Sequence, residues 1–415
     1  MSGNLSLRML AGLGLGAGLG LAAGAWLAPA ALDALISHVT EPLGRIFLHL
    51  LFMLVIPLVL SALPLGVAGL GDLRALGRIG LRTLAYTVAV SGVAVLIGVA
   101  LVNAFEPGRS IPVEMRERLR ASAPPAPAPA PETGAVGSAL LVRLVPANVV
   151  RAMADGDLLA VMVFAVLLGV GLAAVRSAAT RRLEEALEGV YEVVMWLLSV
   201  VIRAAPVGIF CLVFTLTARL GVDLLLQLGA YVLLVVTGLA IHQFGVYSLS
   251  VRWLGGMSPR RFFAAVRPAM LTAFSTASSN ATLPTALSVA ETELRLPPHV
   301  SRFVLTLGAT ANQNGTALFE GVTVLFLAQL YGVELGLVQQ VTVVAICVLG
   351  GIGTAGVPAG SIPVVMMILG LIGVPAEGIG LILGVDRFLD MCRTAVNVTG
   401  DLVAAVVVAR GESET

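Results

Sequence analysis

The chain has 415 residues, is 58% hydrophobic and 12% charged, and has a mean hydropathy of +0.99. A soluble domain rarely tolerates so apolar a sequence, so the reading is an all-α polytopic membrane protein embedded in a lipid bilayer. The formal net charge of +1 gives no electrostatic reason to bind nucleic acid. Every basic residue is Arg. The three cysteines (Cys211, Cys347, Cys392) lie scattered in apolar segments, as small buried hydrophobes do. Four histidines without HExxH-like spacing argue against a zinc enzyme.

Spans of about twenty apolar residues are predicted near 9–32, 45–70, 82–105, 158–175, 190–216 and 224–250. The first is read as a membrane helix, not a removed signal. Between 106 and 145 the run SAPPAPAPAPETGA cannot pack as a helix and reads as an extramembrane loop. Arg74, Arg78 and Arg82 follow the second span, Arg176, Arg181 and Arg182 the fourth, and Arg252, Arg260, Arg261 and Arg267 the sixth. These are alternate loops, so the positive-inside rule assigns them and the N-terminus to the cytoplasm.

The second half is interrupted. Residues 258–290 break at FSTASSNATLP, 298–331 at ANQNGT and 336–373 at GGIGTAGVPAG. Such breaks are tolerated at membrane depth only where backbone is buried in protein or lines a cavity. Their repetition is the mark of a transporter site between inverted repeats. Ser and Thr hydroxyls with half-helix N–H groups at STASSNATLP form an anion nest. The glycines of GTAGVP allow close approach of backbone to a ligand.

The last helix, 376–409, carries Asp386, Asp390, Arg393, Thr394, Asn397 and Asp401. At about 100° per residue these occupy one arc of about 100°. Each ionised group in a span costs about 2.5–3.5 kcal/mol on insertion scales, so the face must meet partners, water or ligand. One explanation is an internal Asp390–Arg393 salt bridge. The other is a receptor for a zwitterion: Arg takes a carboxylate in bidentate fashion and Asp takes an ammonium. Arg387 lies about 100° round the helix from Asp386, outside this arc, and has no assignment.

SSNATLP (278–284), NQNGT (312–316), GIGTAGVP (351–358) and DMCRTAVNVTGD (390–401) together resemble the glutamate transporter family, the dicarboxylate/amino acid:cation symporters. The resemblance covers nearly the whole chain. It implies eight transmembrane helices plus two re-entrant helical hairpins, inverted repeats, and a homotrimer in the cytoplasmic (inner) membrane with both termini in the cytoplasm. Scaffold helices 1 and 2 would span 1–75. Residues 106–220 would hold the Pro/Ala-rich loop and scaffold helices 4 and 5. An elevator-type transport domain would comprise helix 3 (76–105), helix 6 (221–257), hairpin 1 (258–292), helix 7 (298–331), hairpin 2 (336–373) and helix 8 (376–410).

By the same resemblance the substrate is an acidic amino acid, aspartate or glutamate. Asp390 would bind its ammonium, and Arg393 its side-chain carboxylate with help from Thr316. Ser279, Thr394 and Asn397 would bind the main-chain carboxylate, with backbone of Val357 nearby. One sodium site would use carbonyls of Gly308, Asn312 and Asn397 with the Asp401 carboxylate. A second would use carbonyls of Thr310, Gly351, Ile352 and Thr354. A third is expected to be weak or absent. The family's N-M-D-G-T Asp is Asn314 here, and on helix 3 Thr87 and Ser91 remain but Val90 offers no hydroxyl. Glu320 stands where proton-carrying members have an acid. Ala277 and Met391 stand where members carry an arginine. The nearest alternatives are a purely proton-coupled acidic amino acid or C4-dicarboxylate carrier and, less favoured, an ion channel. An intramembrane enzyme would need a nucleophile–base pair or metal cluster, and no His lies near the serines at 275–279.

Overall fold

The computed structural model describes residues 2–70, 78–109, 117, 145–154, 158–175, 177–353 and 360–413. All regular elements among them are helical. Helix α1 (Ser2–Trp26) stops earlier than the predicted span, because Pro29 opens the next helix. Proline suits a first helical turn, where its missing N–H has no partner to lose. α2 (Pro29–Leu35) runs through a π-helical turn, Ile36–Thr40, into α3 (Glu41–Phe52), and α4 (Val55–Leu70) follows. The second apolar segment therefore begins well before residue 45. Next come α5 (Arg78–Phe105), α6 (Val149–Ala154) and α7 (Leu158–Ala174). The predicted Pro/Ala-rich loop falls almost wholly outside the described residues.

α8 (Ala178–Leu220) is 43 residues long, about 65 Å at about 1.5 Å per residue. That exceeds the hydrocarbon core, and its first turns carry Arg181, Arg182, Glu184 and Glu185. Its start is fixed reciprocally. Thr180 N donates to Ser177 Oγ at 3.1 Å, and Ser177 N donates to Thr180 Oγ1 at 2.9 Å. α9 (Val222–Ala240) continues through π-helical turns and α10 (Tyr247–Leu249) to Leu254.

The interrupted segments are observed as pairs of helices. α11 (Pro259–Thr276) ends at Ala277, left-handed at φ 49°, and α12 (Ser279–Thr292) starts behind the Ser278 cap, whose hydroxyl accepts from Ala281 N at 3.2 Å. α13 (Pro298–Ala311) and α14 (Asn314–Leu330) are separated by two non-helical residues, Asn312 and Gln313. α15 (Leu337–Gly353) and α16 (Ile362–Leu371) flank the GTAGVP break, of which residues 354–358 lie outside the described residues. α17 (Ile379–Ser413) closes the chain.

Six helices among the described residues are long and apolar enough to cross a bilayer: Leu7–Trp26, Pro29–Leu65, Ile79–Phe105, Ala178–Arg219, Leu225–Leu254 and Ile379–Arg410. The protein is thus a multi-pass membrane protein. Large apolar side chains such as Leu96, Trp196 and Leu233 point outward, as a lipid-facing surface requires. α17 differs: 78% of its apolar window is buried. It is packed by α11, α12, α13 and α14, so its polar residues cannot be rescued by bulk water.

α1 packs along α8 through glycines spaced by four. Gly12, Gly16, Gly20 and Gly24 each face α8 backbone; a Cβ on Gly16 would stand 2.8 Å from Phe210 O, and one on Gly24 2.7 Å from Ala218 O. Small residues let two helices approach where lipid supplies no hydrophobic drive. Gly16→Leu should overpack this seam and cost about 1–3 kcal/mol, read as a lower unfolding temperature of the detergent-solubilised protein. An unchanged temperature would show that the seam is not tight.

Candidate functional site

The site is built on α17, with the starts of α14 and α12 and the end of α13 laid against it. Arg393 is 2% exposed, and its guanidinium is held on two sides by carboxylates of its own helix. Nη1 donates to Asp386 Oδ1 at 2.8 Å, and Nη2 lies 3.0 Å from Asp390 Oδ1. Asp386 and Asp390 are themselves i, i+4 neighbours, and the Arg reaches both by folding back along the helix. Its plane lies over the Phe319 ring of α14, 4.2 Å from the centroid, a cation–π contact. Arg387 approaches the same cluster, with Nη1 3.7 Å from Asp390 Oδ2. The cluster thus holds two acids and two arginines. The helical phase suggested no role for Arg387, but it lies only about 20° beyond the edge of the polar arc, and its long side chain reaches Asp390 as an i, i+3 neighbour.

Asn397 sits one turn beyond Arg393 and uses its whole carboxamide. Its Oδ1 accepts from Gly315 N at 2.7 Å and Thr316 N at 3.3 Å. Its Nδ2 donates to Thr316 Oγ1 at 3.0 Å and to Gln313 Oε1 at 2.5 Å. The first N–H groups of a helix lack intrahelical partners, so Asn397 caps α14 from another helix. The close fit depends on Gly315, where a Cβ would stand 2.6 Å from Arg393 O. Thr394 and Ser279 are buried, and Ser279 Oγ has no hydrogen-bond partner.

Farther along α17, Asp401 is buried against the end of α13. Asn312 Nδ2 donates to Asp401 Oδ1 at 2.9 Å, and Asn312 Oδ1 has no partner. Gly308 lies directly against the Asp401 carboxylate. Thr310 is solvent-exposed, and its hydroxyl bonds back to Leu307 O at 3.0 Å. Gly351 of α15 packs near the backbone oxygen of Gln313. Ile352 belongs to the last turn of α15, while Thr354 and Val357 lie outside the described residues.

Asn314 is engaged in a neutral network. Ser91 Oγ donates to Asn314 Oδ1 at 2.5 Å, Asn314 Nδ2 donates to Tyr247 Oη at 3.0 Å, and Tyr247 Oη donates to Val396 O at 3.1 Å. Thr87 is buried on the same helix as Ser91. Tyr247 has no signal in the sequence, since it arrives from a segment 67 residues away. Glu320 is fully buried, and neither carboxyl oxygen has a partner. It lies beside Gly350, where a Cβ would come within 3.3 Å of Oε2.

The fold therefore defines a helical, multi-pass membrane protein built around one buried, charge-bearing helix. Residues 5–411 match the Sodium:dicarboxylate symporter family. The chain is 35% identical over 372 residues to the proton/sodium-glutamate symport protein of Bacillus subtilis (strain 168), covering 90% of this chain and 86% of that one. It is 34% identical to the proton/glutamate-aspartate symporter of Escherichia coli (strain K12), covering 92% and 87%. It is 31% identical to the C4-dicarboxylate transport protein of Anaeromyxobacter sp. (strain K), covering 94% and 89%. The chain belongs to the sodium:dicarboxylate symporter family, whose members are transporters and not enzymes.

Removing one carboxylate from the cluster should be costly, because a charge buried at this depth keeps its desolvation penalty when its partner is lost. Asp386→Asn should destabilise the protein by about 1–3 kcal/mol, with Asp390 still holding Arg393. Thermal unfolding in detergent measures it; wild-type stability would mean that Asp386 contributes nothing to balancing Arg393.

Proposed function

We propose that this protein is a secondary active symporter of an acidic amino acid, aspartate or glutamate, coupled to sodium and a proton. The observation that carries the reading is the buried Arg393 between Asp386 and Asp390, beside the Asn397 carboxamide. An acidic amino acid brings both signs of charge. Its side-chain carboxylate can take over Arg393 while its ammonium takes over Asp390, so no charge is left unpaired in a low-dielectric site. A plain C4-dicarboxylate offers Asp390 nothing. Thr316, Ser279, Thr394 and Asn397 supply polar atoms for the main-chain carboxylate, with backbone of Val357 beside them. The relatives named for glutamate and aspartate support this substrate class.

Sodium is a co-substrate in this reading. The buried Asp401 carboxylate, the unpartnered Asn312 Oδ1 and carbonyls of Gly308, Asn312 and Asn397 suit a hard cation. A second sodium would use carbonyls of Thr310, Gly351, Ile352 and Thr354. The third site is weak, because Asn314 is neutral and already bonded to Ser91 and Tyr247, and Val90 offers no hydroxyl. Glu320 is the proton carrier: it is buried without a hydrogen-bond partner, in electrostatic reach of Cys347 and Arg393. The closed Asn314 network also favours a second reading, a purely proton-coupled carrier.

The architecture proposed is eight transmembrane helices and two re-entrant hairpins. Residues 76–105, 221–257, 258–292, 298–331, 336–373 and 376–410 form a transport domain. It moves elevator-fashion against a scaffold of 1–75 and 106–220, in a homotrimer of the inner membrane with cytoplasmic termini. Burial of α17 within its neighbours supports its moving as part of one body.

Uptake of L-aspartate into proteoliposomes, with sodium and pH gradients imposed separately, tests the coupling. Accumulation should require sodium, and accumulation driven by pH alone would favour the proton-only reading. Glu320→Gln should abolish the dependence on the pH gradient while sodium-driven uptake persists; an unchanged dependence removes Glu320 from the proton path. Arg393→Cys should weaken uptake of acidic substrates by about ten- to a hundredfold, the scale of a buried charged hydrogen bond, and gain transport of neutral amino acids. Retained aspartate uptake would refute the assignment of Arg393.

A further inference from the structure

Gln313 stands where the family pattern has a methionine, and none of the roles above uses it. Its side chain is buried in the two-residue break between α13 and α14. Nε2 donates to Ala309 O at 3.0 Å, one of the carbonyls left over at the end of α13. Oε1 accepts from Asn397 Nδ2 at 2.5 Å. The Ala309 contact fixes which end of the carboxamide faces α17, because an amide held by its N–H presents its oxygen on the other side.

This contact completes the hydrogen bonding of Asn397. A carboxamide has two N–H donors and two acceptor positions. Here Thr316 Oγ1 and Gln313 Oε1 take the donors, and Gly315 N and Thr316 N fill the acceptor. No donor of Asn397 is left over for a substrate carboxylate. The carboxamide oxygen of Gln313 is an acceptor of the same kind and size as a carboxylate oxygen. A methionine thioether of similar length is a much weaker acceptor.

We infer that Gln313 is an affinity-setting positioning residue: its Oε1 holds the place at Asn397 Nδ2 that a substrate carboxylate oxygen takes, and substrate binds by displacing it. The inference rests on the reading of Asn397 as a substrate-carboxylate donor. Binding then exchanges one hydrogen bond for another at this atom, so the net gain from Asn397 is small. Removing the internal acceptor leaves a buried N–H to be satisfied by substrate, and affinity rises. Strengthening the acceptor with a charge does the opposite, and also sets a second carboxylate against the substrate's own.

The test is sodium-driven uptake of radiolabelled L-aspartate by the purified full chain in proteoliposomes, with KM and kcat separated. Gln313→Met should lower KM about three- to tenfold, the scale of one net hydrogen bond, with kcat within about twofold of wild type. Gln313→Leu also lacks the acceptor and should lower KM likewise. Gln313→Glu keeps length and acceptor and should raise KM. A merely structural glutamine predicts loss of kcat in all three with no opposite-signed shift in KM, and that pattern overturns the inference. Asn397→Ser separates the two levels. A raised KM there, with KM unmoved in the Met and Leu variants, defeats the Gln313 inference alone. A wild-type KM in Asn397→Ser defeats the substrate-site reading and the inference with it.

Discussion

A guanidinium buried in a membrane protein must be neutralised where it sits, and this structure is organised around that constraint. Arg393 is 2% exposed and is held by Asp386 and Asp390. The desolvation cost of three such groups is offset only if they stay paired with one another. α17 lies inside a shell of other helices, and the Phe319 ring lies against the guanidinium. Arg387 adds a second positive charge within reach of Asp390, so the cluster is balanced two against two.

The same logic governs the breaks in the neighbouring helices. Interrupting a helix at membrane depth frees carbonyls and N–H groups that lipid cannot satisfy. Here polar side chains supply the partners. Asn397 caps the first N–H groups of α14, and the Gln313 amide satisfies Ala309 O at the end of α13. The unwound segment and the polar face of α17 are therefore two halves of one hydrogen-bond network. A change in either half is felt by the other through Asn397.

The amide at 314 illustrates how one atom changes a site. A carboxylate there would need a cation. Asn314 instead donates to Tyr247 and accepts from Ser91, and the network closes without charge. Asp401, two turns from Arg393 along α17, accepts a hydrogen bond from the Asn312 amide. A neutral network thus stands at Asn314 and a carboxylate at Asp401.

Much of this was legible in order along the chain. Hydropathy marked the apolar helices, and SSNATLP and NQNGT marked two breaks where helices do end and restart. The 100° periodicity placed Asp386, Asp390, Arg393 and Asn397 on one face. Boundaries were less legible: Pro29 started a helix that hydropathy alone placed sixteen residues later, because local backbone geometry and not apolar content decides where a helix begins. The sequence by itself determined which helix carries the charge and where the backbone is interrupted, since both follow from residue type and local spacing. Only the tertiary structure decided the partners: Gln313 with Asn397, Tyr247 with Asn314. Those pairings depend on side-chain reach and on the approach of segments far apart in the chain, and no periodicity records either.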